Sequence, residues 1–142
     1  MDSLFVLSER FGPPVVNLRQ GRILDDHGSE CCAPIEVDHR KPTDVTRKEL
    51  EAYSDVWVFL KPRDLLFYLH PVATEFCKNT SLNCIDHFMY TFNDALPELQ
   101  ELLTKEEQNV LKMAFEEIWE AGGIYEADWD YCENLQHLIE FR

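Results

Sequence analysis

The stretch Thr104-Lys105-Glu106-Glu107-Gln108-Asn109-Val110-Leu111-Lys112-Met113-Ala114-Phe115-Glu116-Glu117-Ile118-Trp119-Glu120-Ala121-Gly122-Gly123 decides the fold class. Thr104 and Glu107 form a capping box, in which a hydroxyl and a carboxylate three residues apart satisfy each other's backbone N–H groups. Val110, Leu111, Ala114, Phe115, Ile118 and Trp119 then recur at i, i+1, i+4, i+5, i+8 and i+9, one face of an α-helix. Gly122-Gly123 ends the run, because glycine readily takes the left-handed conformation that closes a helix. Glu106, Glu107, Glu116, Glu117 and Glu120 fall on the polar side.

The same signals recur upstream. Thr46-Arg47-Lys48-Glu49 is another capping box, and it opens a predicted helix with Leu50, Tyr53, Trp57 and Leu60 on one face. Pro62 suits the first turn of a second helix, which carries Leu65, Leu66, Leu69, Val72, Ala73 and Phe76. Pro71 lies inside that helix and is expected to kink or break it. Cys84–Phe92 reads as a third helix, with Ile85, Phe88, Met89 and Phe92 on one side. A last helix is predicted from Trp129 to Phe141, with Tyr131, Leu135, Leu138 and Ile139 facing inward. Residues 1–45 are loop-rich, with one short element stopped by Gly12-Pro13-Pro14 and another, Val15–Leu24, running into Asp25-Asp26-His27-Gly28. The expected fold is mainly α: a single-domain helical bundle over residues 1–142. A loop-rich part spans 1–45, where a small strand pair is left open, and a helical part spans 46–142.

The chain has 142 residues and a net charge of −14, with 45% hydrophobic residues and only 5 glycines and 7 prolines. That composition excludes a disordered or collagen-like chain. A pI near 4.6 argues against direct binding of nucleic acid or of an anionic membrane. The N-terminus has an acidic residue where a secretion signal needs a basic one, and no window is apolar enough to span a bilayer. The 5 cysteines, Cys31, Cys32, Cys77, Cys84 and Cys132, are odd in number and not spaced as a disulfide framework. Reduced thiols and a cytoplasmic location are the expectation.

The negative charge is graded along the chain: −2 over residues 1–47, −5 over 48–103 and −7 over the short segment 104–142. In that last segment Glu116, Glu117 and Glu120 are followed by Glu126, Asp128, Asp130 and Glu133, which alternate with Tyr125, Trp129 and Tyr131. A solvated acidic face with core aromatics would have this pattern. So would a surface for a basic partner, with Tyr125 and Trp129 as anchors and the carboxylates steering encounter. Glu116, Glu117, Glu120, Tyr125, Glu126, Asp128, Trp129, Asp130 and Glu133 are therefore the candidate partner-binding residues.

No phosphate loop, nucleophile elbow, His-Glu-x-x-His or Cys-x-x-Cys motif occurs. His27, Cys31, Cys32 and His39 are poorly spaced for zinc, and Asp25, Asp26 and Glu30 suit a turn as well as a divalent cation. The expectation is no catalytic residue, no metal and no cofactor. Two alternatives stay open: a small metal- or cysteine-dependent enzyme, and a self-associating adaptor, a homodimer through Trp57, Phe59 or Phe92.

Several short runs carry a resemblance. They are Asp25-Asp26-His27-Gly28-Ser29-Glu30, Ser54-Asp55-Val56-Trp57-Val58-Phe59-Leu60, Phe67-Tyr68-Leu69-His70-Pro71-Val72-Ala73 and Leu103-Thr104-Lys105-Glu106-Glu107-Gln108. Together they are similar to a family of small bacterial proteins classed as a domain of unknown function, from which the chain departs at His70. In overall character the chain also resembles the immunity proteins of polymorphic and contact-dependent toxin systems. That second resemblance implies a basic partner, with a nuclease toxin domain as first choice, whose active site is covered by carboxylates.

Overall fold

The computed structural model describes residues 2–28, 33, 35–122 and 133–140. They form α1 (Asp2–Ser8), α2 (Leu18–Asp25), α3 (Arg47–Ala52), α4 (Pro62–Lys78), α5 (Ile85–Leu102), α6 (Lys105–Gly122) and α7 (Glu133–Glu140). Two 3-10 turns, Pro42–Asp44 and Trp57–Phe59, complete the set. Among the described residues there is no strand, so the strand pair left open for the first 45 residues is not found there. The apolar stretches concerned are α1 and α2 instead. In α2 the helix is set by Asn17 and Gln20: Asn17 Oδ1 accepts from Gln20 N at 2.9 Å, and Gln20 Oε1 accepts from Asn17 N at 2.8 Å.

α4 is the central element, and α1, α3, α5 and α6 all pack against it. Its residues from Asp64 to Leu69 are buried without a break, as are Pro71, Val72, Ala73 and Phe76. A helix buried on every side must be enclosed by others. Pro62 opens it, as expected. Pro71 does not break it: the helix runs through the proline to Lys78. The hydroxyl of Ser8 in α1, itself buried, accepts the His70 N–H at 3.1 Å, next to the point where proline interrupts the ladder.

The face Leu50, Tyr53, Trp57 and Leu60 is buried as its spacing implies, but it is not one helix. α3 ends at Ala52. The chain then turns so that Tyr53 Oη donates to Ile35 O at 2.6 Å and the Trp57 indole donates to Ser54 O at 3.0 Å. Two buried aromatic side chains with polar ends each find a carbonyl, and a continuous helix would have engaged Ser54 O in its own ladder. From Trp57 a series of ring contacts crosses the interior: Trp57–Phe88 at 4.8 Å, Phe88–Phe92 at 5.7 Å and Phe92–Phe115 at 5.2 Å. α5 is longer than its apolar run suggested, reaching Leu102 through Pro97, because Leu96 and Leu99 continue the buried face. α6 begins at its capping box, as expected, with Glu107 N bonded to Thr104 Oγ1 at 3.2 Å and Thr104 N to Glu107 Oε1 at 2.9 Å. α7 rests on α5 and α6 with Leu135 and Leu138 buried, and Asn93 Oδ1 accepts Leu135 N at 3.0 Å. The predicted start of that helix at Trp129, and Tyr131, lie outside the described residues.

The irregular N-terminal half is fastened to α4 by polar side chains. The buried carboxylate of Asp64 accepts three backbone N–H groups, from Val15 at 2.8 Å, Val16 at 3.1 Å and Lys61 at 3.1 Å. One turn on, Tyr68 Oη lies 3.3 Å from Leu18 N and 2.9 Å from His39 Nδ1. His39 Nε2 in turn faces Glu49 Oε2 at 3.0 Å. Leu18 N–H donates to the Tyr68 oxygen, the Tyr68 hydroxyl can donate to Nδ1 of His39, and the remaining imidazole proton then sits on Nε2, the nitrogen that faces Glu49. Burial pushes the Tyr68 phenol well above its usual range, which keeps that hydroxyl protonated.

Gly21 sits where α2 meets the turn before Trp57: a Cβ there would lie 2.9 Å from Leu60 Cδ1 and 3.1 Å from Val56 Cβ. Gly21→Ala is expected to cost about 1 kcal/mol in chemical denaturation, because the clash exceeds the helix-propensity gain. Glu49 gives a pH signature. Burial alone would raise its pKa, but hydrogen bonds from His39 and Thr46 outweigh that and hold it below the usual 4.5. A carboxylate lowered by folding contributes stability above its unfolded pKa, and that stability is lost as pH falls through the folded value. Glu49→Gln should therefore flatten the fall in unfolding midpoint below about pH 4.5.

Candidate functional site

The acidic candidates divide by position. Glu116, Glu117 and Glu120 lie in the last two turns of α6, with Glu117 and Glu120 exposed and Glu116 half-buried. Glu133 is exposed at the start of α7. Tyr125, Glu126, Asp128, Trp129 and Asp130 lie outside the described residues, so α6 and the first residue of α7 carry the visible part of the candidate surface. Among the described residues no ion pair holds Glu117, Glu120 or Glu133.

Of the α6 carboxylates, Glu120 stands in the last described turn and is placed against the helix dipole. The C-terminal end of a helix carries partial negative charge and favours lysine or arginine, yet the last turn of α6 has no basic residue. By contrast Arg10 caps α5, donating to Leu102 O at 2.9 Å and pairing with Glu107 at 3.0 Å, and Arg47 caps α4 through Glu75 O at 2.8 Å and Asn79 O at 3.0 Å. Among the described residues no arginine or lysine is seen to do the same for α6.

Sequence reading missed the apolar feature beside these carboxylates. Ser3 and Leu4 of α1, with Val110, Met113, Ala114 and Glu117 of α6, line a groove of about 120 Å³. Met113 is 61% exposed. Val6, 63% exposed, stands one turn after Ser3 on α1. The signal was present in the spacing Val110, Met113, Glu117, but only the packing of α1 shows that this flank stays open.

A second missed feature is the outer face of α5. Asp86, Tyr90, Asp94, Glu98 and Glu101 recur at intervals of four, four, four and three and are all exposed. The negative charge therefore extends beyond the C-terminal segment. The apolar residues proposed for self-association are redistributed too. Trp57 and Phe92 are fully buried, leaving Phe59 at 36% and its neighbour Val58 at 64% exposure as the accessible pair.

The alternative chemical sites have structural uses. Asp26 is the C-cap of α2, and His27 and Gly28 close it, with His27 N bonded to Leu24 O at 3.2 Å and Gly28 N to Ile23 O at 2.8 Å. His27 holds the left-handed position at φ 55°. Asp25 pairs with Arg22 at 3.4 Å, and His39 belongs to the buried chain with Tyr68 and Glu49. Among the described residues no three His, Cys, Asp or Glu side chains are grouped to hold a metal ion. Glu30, Cys31, Cys32 and Cys132 lie outside those residues.

Of the described thiols, Cys84 is pushed up to about 12 by burial, and Cys77 is raised by burial and by the charge of Glu117. Both shifts run opposite to what a nucleophilic thiolate needs. Cys84 is expected to resist iodoacetamide at mildly alkaline pH until the protein is denatured, as read by peptide mass spectrometry. No described helix is long and apolar enough to cross a membrane. No protein-family model, curated protein or solved structure matches the chain.

Proposed function

We propose that this chain is a cytoplasmic acidic binding protein that neutralises a basic toxin domain, a nuclease in the first instance, by covering its active site. The observation that carries this reading is the end of α6. Glu117 and Glu120 are exposed and engaged in no ion pair among the described residues; Glu117 lines the open groove at Met113, and Glu120 stands in the last described turn, against the helix dipole. A cationic partner surface would offset that unfavourable placement.

In this reading Glu116, Glu117, Glu120 and Glu133 stand in for nucleic-acid phosphates in the cationic cleft of the partner. Glu126, Asp128 and Asp130 extend that surface, and Tyr125 and Trp129 anchor it. The groove at Met113 accepts an apolar side chain of the partner, giving the contact a desolvated centre that long-range charge cannot supply. The net charge of −14 accelerates encounter, so the association rate falls steeply with ionic strength. The resemblance to bacterial immunity proteins points to the same class of partner. A second reading, self-association through the exposed Val58–Phe59 turn, has its own test: a dimeric mass in light scattering that Phe59→Glu abolishes.

The main reading is tested by using the tagged protein as bait at low salt, with salt elution and identification of the released proteins. A basic toxin domain is the expected result. The decisive variant is Glu117→Lys with Glu120→Lys. It should raise the unfolding midpoint by about 2 °C by complementing the dipole, and slow association with the captured partner. A partner that binds this variant at an unchanged rate and affinity would remove α6 from the interface.

A further inference from the structure

A cleft of about 440 Å³ opens where the C-terminal end of α5, the first half of α6 and α7 meet. Gln100, Lys105, Gln108, Asn109, Lys112, His137 and Leu138 line it. Its volume falls within the range of small-molecule sites. Its charge is the reverse of its surroundings. Residues 104–142 hold 10 carboxylates, yet Lys105, Lys112 and His137, which are all the Lys, Arg and His of the described part of that segment, converge on this one cleft. No carboxylate lines it among the described residues. Basic residues serving only to offset surface charge would be dispersed among the acids.

The geometry of α6 produces this convergence. Lys105, Gln108, Asn109 and Lys112 stand at i, i+3, i+4 and i+7, a single face over two turns. Glu116 comes one turn later on that face and bounds the positive region. Lys105 is the first residue of α6, where the dipole disfavours a cation, so a bound anion would relieve an unfavourable placement as well as add contacts. The joint beneath the cleft is braced: Gln108 Nε2 donates to Gln100 O at 3.0 Å and to Leu103 O at 3.2 Å, linking α6 to the end of α5. Each lysine ammonium has three N–H donors, so a contact within the protein does not exhaust it.

We infer that this cleft binds a small phosphorylated molecule, with its phosphate between Lys105, Lys112 and His137 and its organic part along Asn109, Gln100 and Leu138. Two ammonium groups match the double negative charge of a phosphate monoester, while the side-chain amides and the leucine edge suit an uncharged polar body. This site is separate from the proposed acidic interface and holds whether or not a toxin partner exists.

The test is a calorimetric titration of the full chain at low salt with adenosine monophosphate, inorganic phosphate and citrate. It is repeated on Lys105→Gln/Lys112→Gln, whose fold is checked by circular dichroism and unfolding midpoint. The nucleotide is expected to bind one to one, more tightly than phosphate and more tightly than citrate. The double variant should lose about tenfold or more in affinity. Amide resonances of Lys105, Asn109, Lys112 and His137 should shift on saturation. No saturable binding, equal affinity in a folded double variant, or citrate binding as tightly as the nucleotide would each overturn the proposal.

Discussion

The enclosure of α4 is the constraint on which the rest depends. A helix buried from Asp64 to Leu69 cannot exist alone, and its neighbours are arranged to cover it: α1 and α6 on one side, α5 and the aromatic series from Trp57 on another. The N-terminal segment is too irregular to cover α4 by apolar packing alone, so polar groups fix it. Asp64 and Tyr68, one turn apart on α4, take up the backbone N–H groups of Val15, Val16 and Leu18. Ser8 does the converse, supplying an acceptor to α4 beside Pro71. These matched groups favour one arrangement, because a slip would leave them unpaired in a low-dielectric interior.

This fastening accounts for the division of labour on the surface. The inward face of α6 is held against α4 and α1 through Leu111, Ala114, Phe115 and Ile118, which leaves its other faces available. Both lysines of α6 face the cleft near α7, Glu106 and Glu107 sit in its first turn, and Glu116, Glu117 and Glu120 lie in its last two turns. Rigid elements hold charges at fixed spacing, as recognition of a partner or ligand requires.

Local signals were sufficient wherever an element was controlled by its own residues. The capping boxes at Thr46 and Thr104 and the first-turn proline at Pro62 marked where their helices begin, and the apolar spacing of α6 marked its buried face. They failed where distant groups intervened. Nothing around Ser54 indicates that the Trp57 indole will take its carbonyl, or that Tyr53 will reach Ile35, eighteen residues away. Pro71 reads as a kink or break, yet α4 runs through it, enclosed by its neighbours and with Ser8, 62 residues distant, accepting the adjacent His70 N–H. The buried chain from Leu18 through Tyr68 and His39 to Glu49 joins four separate parts of the sequence and has no local signature. The acidic character of the candidate site was legible in composition, while the groove beside Met113 was not, because openness depends on how α1 is seated.

The sequence by itself determined the mainly helical character, the places where α4 and α6 begin, the apolar face of each long helix and the strongly acidic surface. All of these follow from residue type and spacing within a few turns. Tertiary structure alone decided that α3 stops before Trp57, that α4 passes through its proline, and that α2 and the preceding segment are pinned to Asp64 and Tyr68. It also decided that the only two lysines of α6 share a cleft with His137. The reason is physical: propensity and periodicity act over neighbouring residues, whereas satisfying a buried carbonyl, hydroxyl or amide depends on groups that only the folded chain brings together.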